Sequence, residues 1–300
     1  MLSSPENPQF EPPPVATTEP QPPFALTPDP VPPDSFPAAP SLLTPTPEPP
    51  RDPVWNGFDV LLIAGLAVAS LIVMQVLVLV GAKELIYPHL RWNDAVQTLA
   101  KNALVAILAQ FLTYIPLAIC MVALVEGKYH VRFWPAIRWN WPHSQWRMLG
   151  LGALVLLSLN FLGHFLPMPQ STPFEELFSR PRDAYLMSVF AITLGPLMEE
   201  LFFRGFLYPV LARRMGVAWG IFFTALPFGL IHMFQYGYAW GVVLLIFLMG
   251  VVCTAVRAAT GSVAASFLVH VGYNATEMLI FAIATDGFRH MEKAGLLWPL

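Results

Sequence analysis

The chain has 300 residues, of which 56% are hydrophobic and 12% charged, with a mean hydropathy of +0.57; an average soluble domain carries about 25% charged residues. So few charges cannot cover a water-soluble globule, and a net charge of -3 with a pI near 6.1 offers no basic footprint for nucleic acid. Cys120 and Cys253 both lie in apolar runs, where they read as core or lipid-facing side chains; neither a disulfide framework nor a CxxC metal site can be built from them.

Residues 1–53 hold about 19 of the 31 prolines, seven acidic residues and one basic residue, Arg51. Such a segment has almost no apolar surface to offset the entropy of ordering its backbone, so a disordered, partly polyproline-like acidic tail is expected, acting as a solvated spacer. The first residues, MLSSPENPQF, lack the basic start and short apolar core of a secretory signal. Insertion is therefore expected to fall to the first membrane helix.

From Phe58 onward, apolar stretches of about 20 residues recur, long enough to cross a hydrocarbon core of about 30 Å. Seven are placed, near 58–81, 103–125, 147–167, 184–211, 216–235, 239–256 and 262–284. Lipid offers no water to orphan backbone groups, so these are expected as helices. The fold class is all-α: one transmembrane helical bundle over 54–300 with seven spans, or eight if the loop from Pro167 to Asp183 adds a span or a re-entrant piece. Lys and Arg divide almost evenly between the two sides, so the positive-inside rule does not fix the orientation. The dense basic loop KYHVRFWPAIRWNWPHSQWR leans toward a cytoplasmic N-terminus.

Ionisable groups within membrane helices cost about 2.5–3.5 kcal/mol each on insertion scales, and so mark function or pairing. The fourth apolar stretch carries GPLMEELFFRGFLYPVL. At about 100° per residue, Glu200 and Arg204 share a helix face, whereas Glu199 is turned about 140° from Arg204. The spacing divides their work: Glu200 neutralised by Arg204, Glu199 left to take or give a proton. Gly195 and Pro196 are expected to bend this helix. A purely structural ion pair would explain Glu200 and Arg204 but would leave Glu199 over.

The fifth stretch carries PFGLIH, with Phe228 and His232 one turn apart beside Pro227. A membrane histidine by itself is more often an interhelical hydrogen-bonder than a catalyst. The seventh carries HVGYN, with His270 and Asn274 on one face; both can donate hydrogen bonds to a developing oxyanion. Glu277, one turn further, reads as a helix partner or a carboxylate near the interface. His164 reads as a buried hydrogen-bonder, Glu175 and Glu176 as surface charge. The sequence has no P-loop, GxGxxG or HExxH, and Ser262 and Ser266 lack the strand-turn-helix context of a nucleophilic serine.

EELFFR at 199–204, FGLIH at 228–232 and HVGYN at 270–274, in that order on membrane helices, resemble the EExxxR, FxxxH and HxxxN motifs of the CPBP family. This is the CAAX-protease and bacteriocin-processing family, which includes the type II CAAX prenyl endopeptidases. The resemblance covers about the last 120 residues. It implies an intramembrane endopeptidase acting on membrane-associated or lipidated proteins, multi-pass in the cell membrane. Glu199 and His232 would activate water, His270 and Asn274 would hold the oxyanion, and Glu200, Arg204 and Phe228 would support the site.

Metal-free chemistry is the expectation, because Asn274 suits an oxyanion donor better than a ligand. A zinc-dependent version would use Glu199, His232 and His270, with water in the fourth place. The alternative from another class is a non-catalytic membrane scaffold or immunity protein of the same fold.

Overall fold

A computed structural model of the chain describes residues 52–169, 172–178, 180–291 and 293, without the side chains of 174 and 175. Contacts divide the chain into Met1–Pro49 and Pro50–Leu300. The expected tail therefore lies outside the described residues except for Asp52 and Pro53, and so does the Glu175 side chain.

The described residues form helices and no strand. In chain order they are α1 (Gly57–Ile86), α2 (Trp92–Ala100), α3 (Ala103–Val122, continued by a π-helical turn to Lys128), α4 (Phe133–Ala136) and α5 (Gln145–Gly163). A 3-10 turn at Pro173–Phe178 follows, then α6 (Pro181–Ile192) and α7 (Leu194–Glu200). A π-helical segment, Leu201–Leu207, leads into α8 (Tyr208–Met215), α9 (Val217–Ile231), α10 (Trp240–Thr260) and α11 (Val263–Ala284). Six helical stretches are long and apolar enough to cross a membrane, α6 through α8 counting as one, and the 15-residue α9 is a shorter apolar helix. These seven coincide with the seven expected apolar stretches. The Pro167–Asp183 loop holds the 3-10 turn and no eighth span among the described residues.

The burial pattern is that of a membrane bundle. Leu61, Ile72, Val73 and Leu77 of α1 are exposed, while Glu200, Arg204, Thr254 and Ser266 are wholly buried. Apolar groups face outward, where lipid replaces water, and polar groups pair in the interior.

Local chemistry sets the helix ends. Asn56 opens α1 with a capping box: its Oδ1 accepts from Phe58 N at 2.8 Å, and Asp59 Oδ2 accepts from Asn56 N at 2.9 Å. Ser262 caps α11 by accepting from Ala265 N at 3.0 Å, and Gly261 closes α10 at φ 65°. The α11 start is latched to the preceding loop, since Val263 N donates to Arg138 O at 3.0 Å and Ser262 Oγ to Asn140 O.

Two glycines let α5 and α11 touch backbone to backbone. A Cβ at Gly152 would strike the Val269 carbonyl, and one at Gly272 the Leu149 carbonyl. Small residues at such crossings are the usual means of close approach between membrane helices.

The structure differs from the expected elements at two helices near the site. The apolar stretch around 184–211 is not one continuous helix. It breaks at Thr193 (φ -115°, ψ -78°) and widens into the π-helical turn after Glu200. The break follows from Pro196, which has no N–H for the carbonyl four residues back. The stretch 216–235 stops being helical at Ile231. There the His232 ring nitrogen Nδ1 bonds the Phe228 carbonyl at 2.7 Å, while the His232 backbone N–H turns to Gly229 O at 3.2 Å. The side chain has taken the acceptor that the next helical bond required.

Candidate active site

Five elements meet at one buried ion pair. Arg204, in the π-helical segment, donates through Nη1 to Glu200 Oε1 at 2.9 Å, through Nη2 to Gly250 O at 3.0 Å and through Nε to Thr254 Oγ1 at 3.2 Å. Its Cζ lies 4.4 Å from the Phe228 ring centroid. Glu200 accepts twice more from α11: from Ser266 Oγ at 2.5 Å and from His270 Nδ1 at 3.0 Å. Both charged side chains are 0% exposed. A buried pair holds only when further hydrogen bonds satisfy its remaining polar atoms, and here Ser266, His270, Thr254 and Gly250 supply them.

Glu199 occupies a different setting. Its side chain is 22% exposed, with His270 Nε2 3.7 Å and His232 Nε2 3.9 Å from its two oxygens. Both distances exceed a direct hydrogen bond. Each imidazole is held from behind through Nδ1. A carbonyl and a carboxylate can only accept, so Phe228 O and Glu200 place a proton on Nδ1 of His232 and of His270. Both rings thus aim Nε2 at Glu199. Phe228, buried, packs edge-on against His232 at 5.2 Å and His270 at 5.9 Å between centroids, excluding water behind them.

Asn274 stands one turn beyond His270, and its Nδ2 donates to Ala191 O at 2.6 Å. Ala191 is in the last turn of α6, where the break at Thr193 leaves carbonyls without helical partners. Asn274 therefore ties α11 to that break.

Of the residues marked by sequence as catalytic or supporting, Glu199, Glu200, Arg204, Phe228, His232 and His270 thus lie in one connected cluster, while Asn274, one turn from His270, is bonded to Ala191 O instead. Ser266, set aside as a nucleophile, belongs to it as a partner of Glu200, and Thr254 and Gly250 belong to it as partners of Arg204. Their only sequence signal is a small polar or glycine residue within an apolar helix. Tyr114 of α3, stacked on Phe190 with centroids 6.0 Å apart, lies within electrostatic range of Glu199. Glu277 lies on α11 about two turns before its end at Ala284, where the expected stretch also ended. His164 is exposed rather than buried, bonded through Nδ1 to Asn160 O at 2.9 Å in its own helix. Glu176 is exposed and pairs with Lys101 at 3.3 Å, and Cys253 is buried core.

The donor chemistry can be compared with zinc coordination. Among the described residues, the trio whose ligand atoms lie within 4.8 Å of one another is Glu200, Cys253 and His270. Glu200 is already neutralised by Arg204, whose positive charge opposes a cation there. Glu199, His232 and His270 are not such a trio as arranged, although the two imidazole Nε2 atoms stand 3.9 and 3.7 Å from the Glu199 oxygens.

Residues 181–276 match the family model described as Type II CAAX prenyl endopeptidase Rce1-like. The chain carries an Rce1-like domain. That family is one of CAAX-type proteases. The Rce1-like domain runs from the start of α6 into α11 and contains every residue of the cluster, while α1 to α5 lie outside it. Comparison with curated proteins and with solved structures finds no match. With six membrane-length helices among its described residues, the chain is a multi-pass membrane protein.

Proposed function

We propose that the chain is an intramembrane endopeptidase that cleaves membrane-associated or lipidated proteins in the cell membrane, using water activated by Glu199 and His232 without a metal. The observation that carries this reading is the contrast between neighbours: Glu200 is neutralised and fully buried, while Glu199 is partly exposed between two imidazole Nε2 atoms.

Glu199 takes a proton from a water held between it and His232, and the resulting hydroxide attacks the scissile carbonyl. His232, neutral with its proton on Nδ1, accepts a hydrogen bond at Nε2 and orients that water. The tetrahedral oxyanion forms beside His270 and Asn274. His270, held through Nδ1 by Glu200, turns its Nε2 edge toward that oxyanion. Asn274 has two amide hydrogens; one holds Ala191 O and the other is the oxyanion donor. Proton transfer from Glu199 to the leaving amine completes hydrolysis.

The test uses the purified full chain in detergent with two peptides, one bearing an S-farnesyl cysteine three residues from its C-terminus and one without the lipid. Cleavage of either, lost in Glu199→Gln and unchanged by chelation, is the expected result. Activity lost on chelation and restored by zinc alone would establish a metalloprotease instead. Cleavage that persists in Glu199→Gln would remove Glu199 as the base.

A further inference from the structure

A second polar cluster lies away from the active site, at the end of the bundle where α3 and α10 finish and α1 and α11 begin. Arg257, in the last turn of α10, is 5% exposed, and its Nε has no hydrogen-bond partner. Among the described residues no carboxylate lies within ion-pair distance of it. Its recorded contact is with the Tyr208 ring, 5.9 Å from Cζ to the centroid, near the roughly 6 Å limit of a useful cation-π interaction. A guanidinium cannot shed its proton to escape burial. An unpaired buried charge of this kind calls for a counter-charge.

The surroundings do not provide one. The nearby charge is a second cation, Arg138, and the acid within range, Asp52, is taken by the Arg138 guanidinium. Lys128 and Tyr129 take Asp59 at 2.6 and 2.5 Å, and Phe133 N takes Glu126 at 2.9 Å. Arg213 is turned onto the carbonyls of Pro53 and Trp55. The acids of this end are engaged, Asp52 by Arg138 among them, and the positive charge of Arg132 and Arg257 is left over. A cavity of about 320 Å³ opens here, with Arg132, Arg138 and Asp52 in its walls beside Val54, Val131 and Pro135. A water takes roughly 30 Å³ of liquid volume, so the space accepts a headgroup rather than one solvent molecule.

We infer that this end of the bundle binds the phosphate group of an anionic phospholipid, held in the cavity by Arg138 and Arg132, with the charge of buried Arg257 close behind Arg138. Guanidinium forks match phosphate oxygens two at a time. Basic residues where a membrane helix meets the headgroup layer draw anionic lipids. The apolar wall of Val54, Val131 and Pro135 suits the glycerol and upper acyl chain.

The experiment follows the thermal unfolding midpoint of the purified full chain in maltoside detergent as phosphatidylglycerol, phosphatidylcholine or inorganic phosphate is added. Phosphatidylglycerol should raise the midpoint saturably, and phosphatidylcholine should not. In Arg257→Met the half-saturating concentration should rise severalfold, because a buried positive charge beside the site is lost. Exposed Arg132→Gln and Arg138→Gln should weaken the response and supply the same reading if Arg257→Met does not fold. Exposed Arg182→Gln, at the other end, should leave it unchanged. Inorganic phosphate acting alone through these arginines would support the phosphate site and assign it to the free ion. Equal shifts with both lipids, or a phosphatidylglycerol response untouched by the Arg132, Arg138 and Arg257 changes, would overturn the inference.

Discussion

His270 and Glu200 are 70 residues apart in the chain and 3.0 Å apart in the bundle, ring Nδ1 to carboxylate Oε1. That contact turns the opposite edge of the imidazole toward Glu199, 3.7 Å away. One ring therefore joins the structural carboxylate to the one proposed as the base, and substitutions at the two glutamates should separate cleanly.

Glu199→Gln keeps the side-chain shape and removes the base. Turnover should fall by at least about 10²-fold, the lower end for general-base catalysis. The unfolding midpoint should stay close to the parent's, because Glu199 is partly exposed and carries no direct hydrogen bond in the cluster.

Glu200→Gln strands Arg204 in a fully buried site, and breaking such a pair from one side typically costs about 3–5 kcal/mol. Adding Arg204→Met should recover part of that stability, since no orphan charge remains, but not the turnover, because His270 still lacks its charged partner. Glu199→Gln with Arg204→Met should recover none. Thermal unfolding and peptide cleavage of these variants in one detergent provide the measurement; rescue through Arg204 at Glu199 rather than at Glu200 would reverse the assignment.

Ser266→Ala removes the hydroxyl on Glu200 Oε2 and leaves a buried acceptor unsatisfied, a loss of about 1–3 kcal/mol. Because Ser266 touches Glu200 and not the reacting atoms, kcat should drop with KM nearly unchanged, and Ser266→Thr should restore much of it. Parent-like turnover in Ser266→Ala would reduce its role to packing.

Asn274→Ala should lower turnover by about 10²-fold or more if its second amide hydrogen serves the oxyanion, as removal of such donors typically does. Substrate affinity should hold. Loss of stability with turnover intact would leave only the tie to Ala191 O.

Gly272→Ala places a methyl against the Leu149 carbonyl between His270 and Asn274. Overpacking of this kind typically costs about 1–3 kcal/mol. Pushing α11 off α5 should lower both the unfolding midpoint and turnover.

Much of this protein was legible in its sequence for reasons of length and local period. Apolar stretches matched to bilayer thickness identify the helices, because lipid forbids any other open backbone arrangement. The Glu200–Arg204 pair and the separate facing of Glu199 follow from angles within one helix, a geometry that a few consecutive residues determine. The break near Pro196 follows in the same way from a missing N–H.

Contacts between helices are another matter, because they depend on rotation and register that no single stretch encodes. Ser266 looked inert until α11 was set beside Glu200, and Thr254 until α10 brought it to Arg204. Asn274 reads as an oxyanion donor by spacing, yet its partner Ala191 exists only because the α6 break falls beside it. Trp55 lies at the edge of the proline-rich region, but in the bundle it stacks on Phe206 at 4.6 Å and donates to the Phe206 carbonyl at 3.0 Å in the π-helical segment. The chain determines which side chains can pair; close packing of helices distant in sequence decides which of them do.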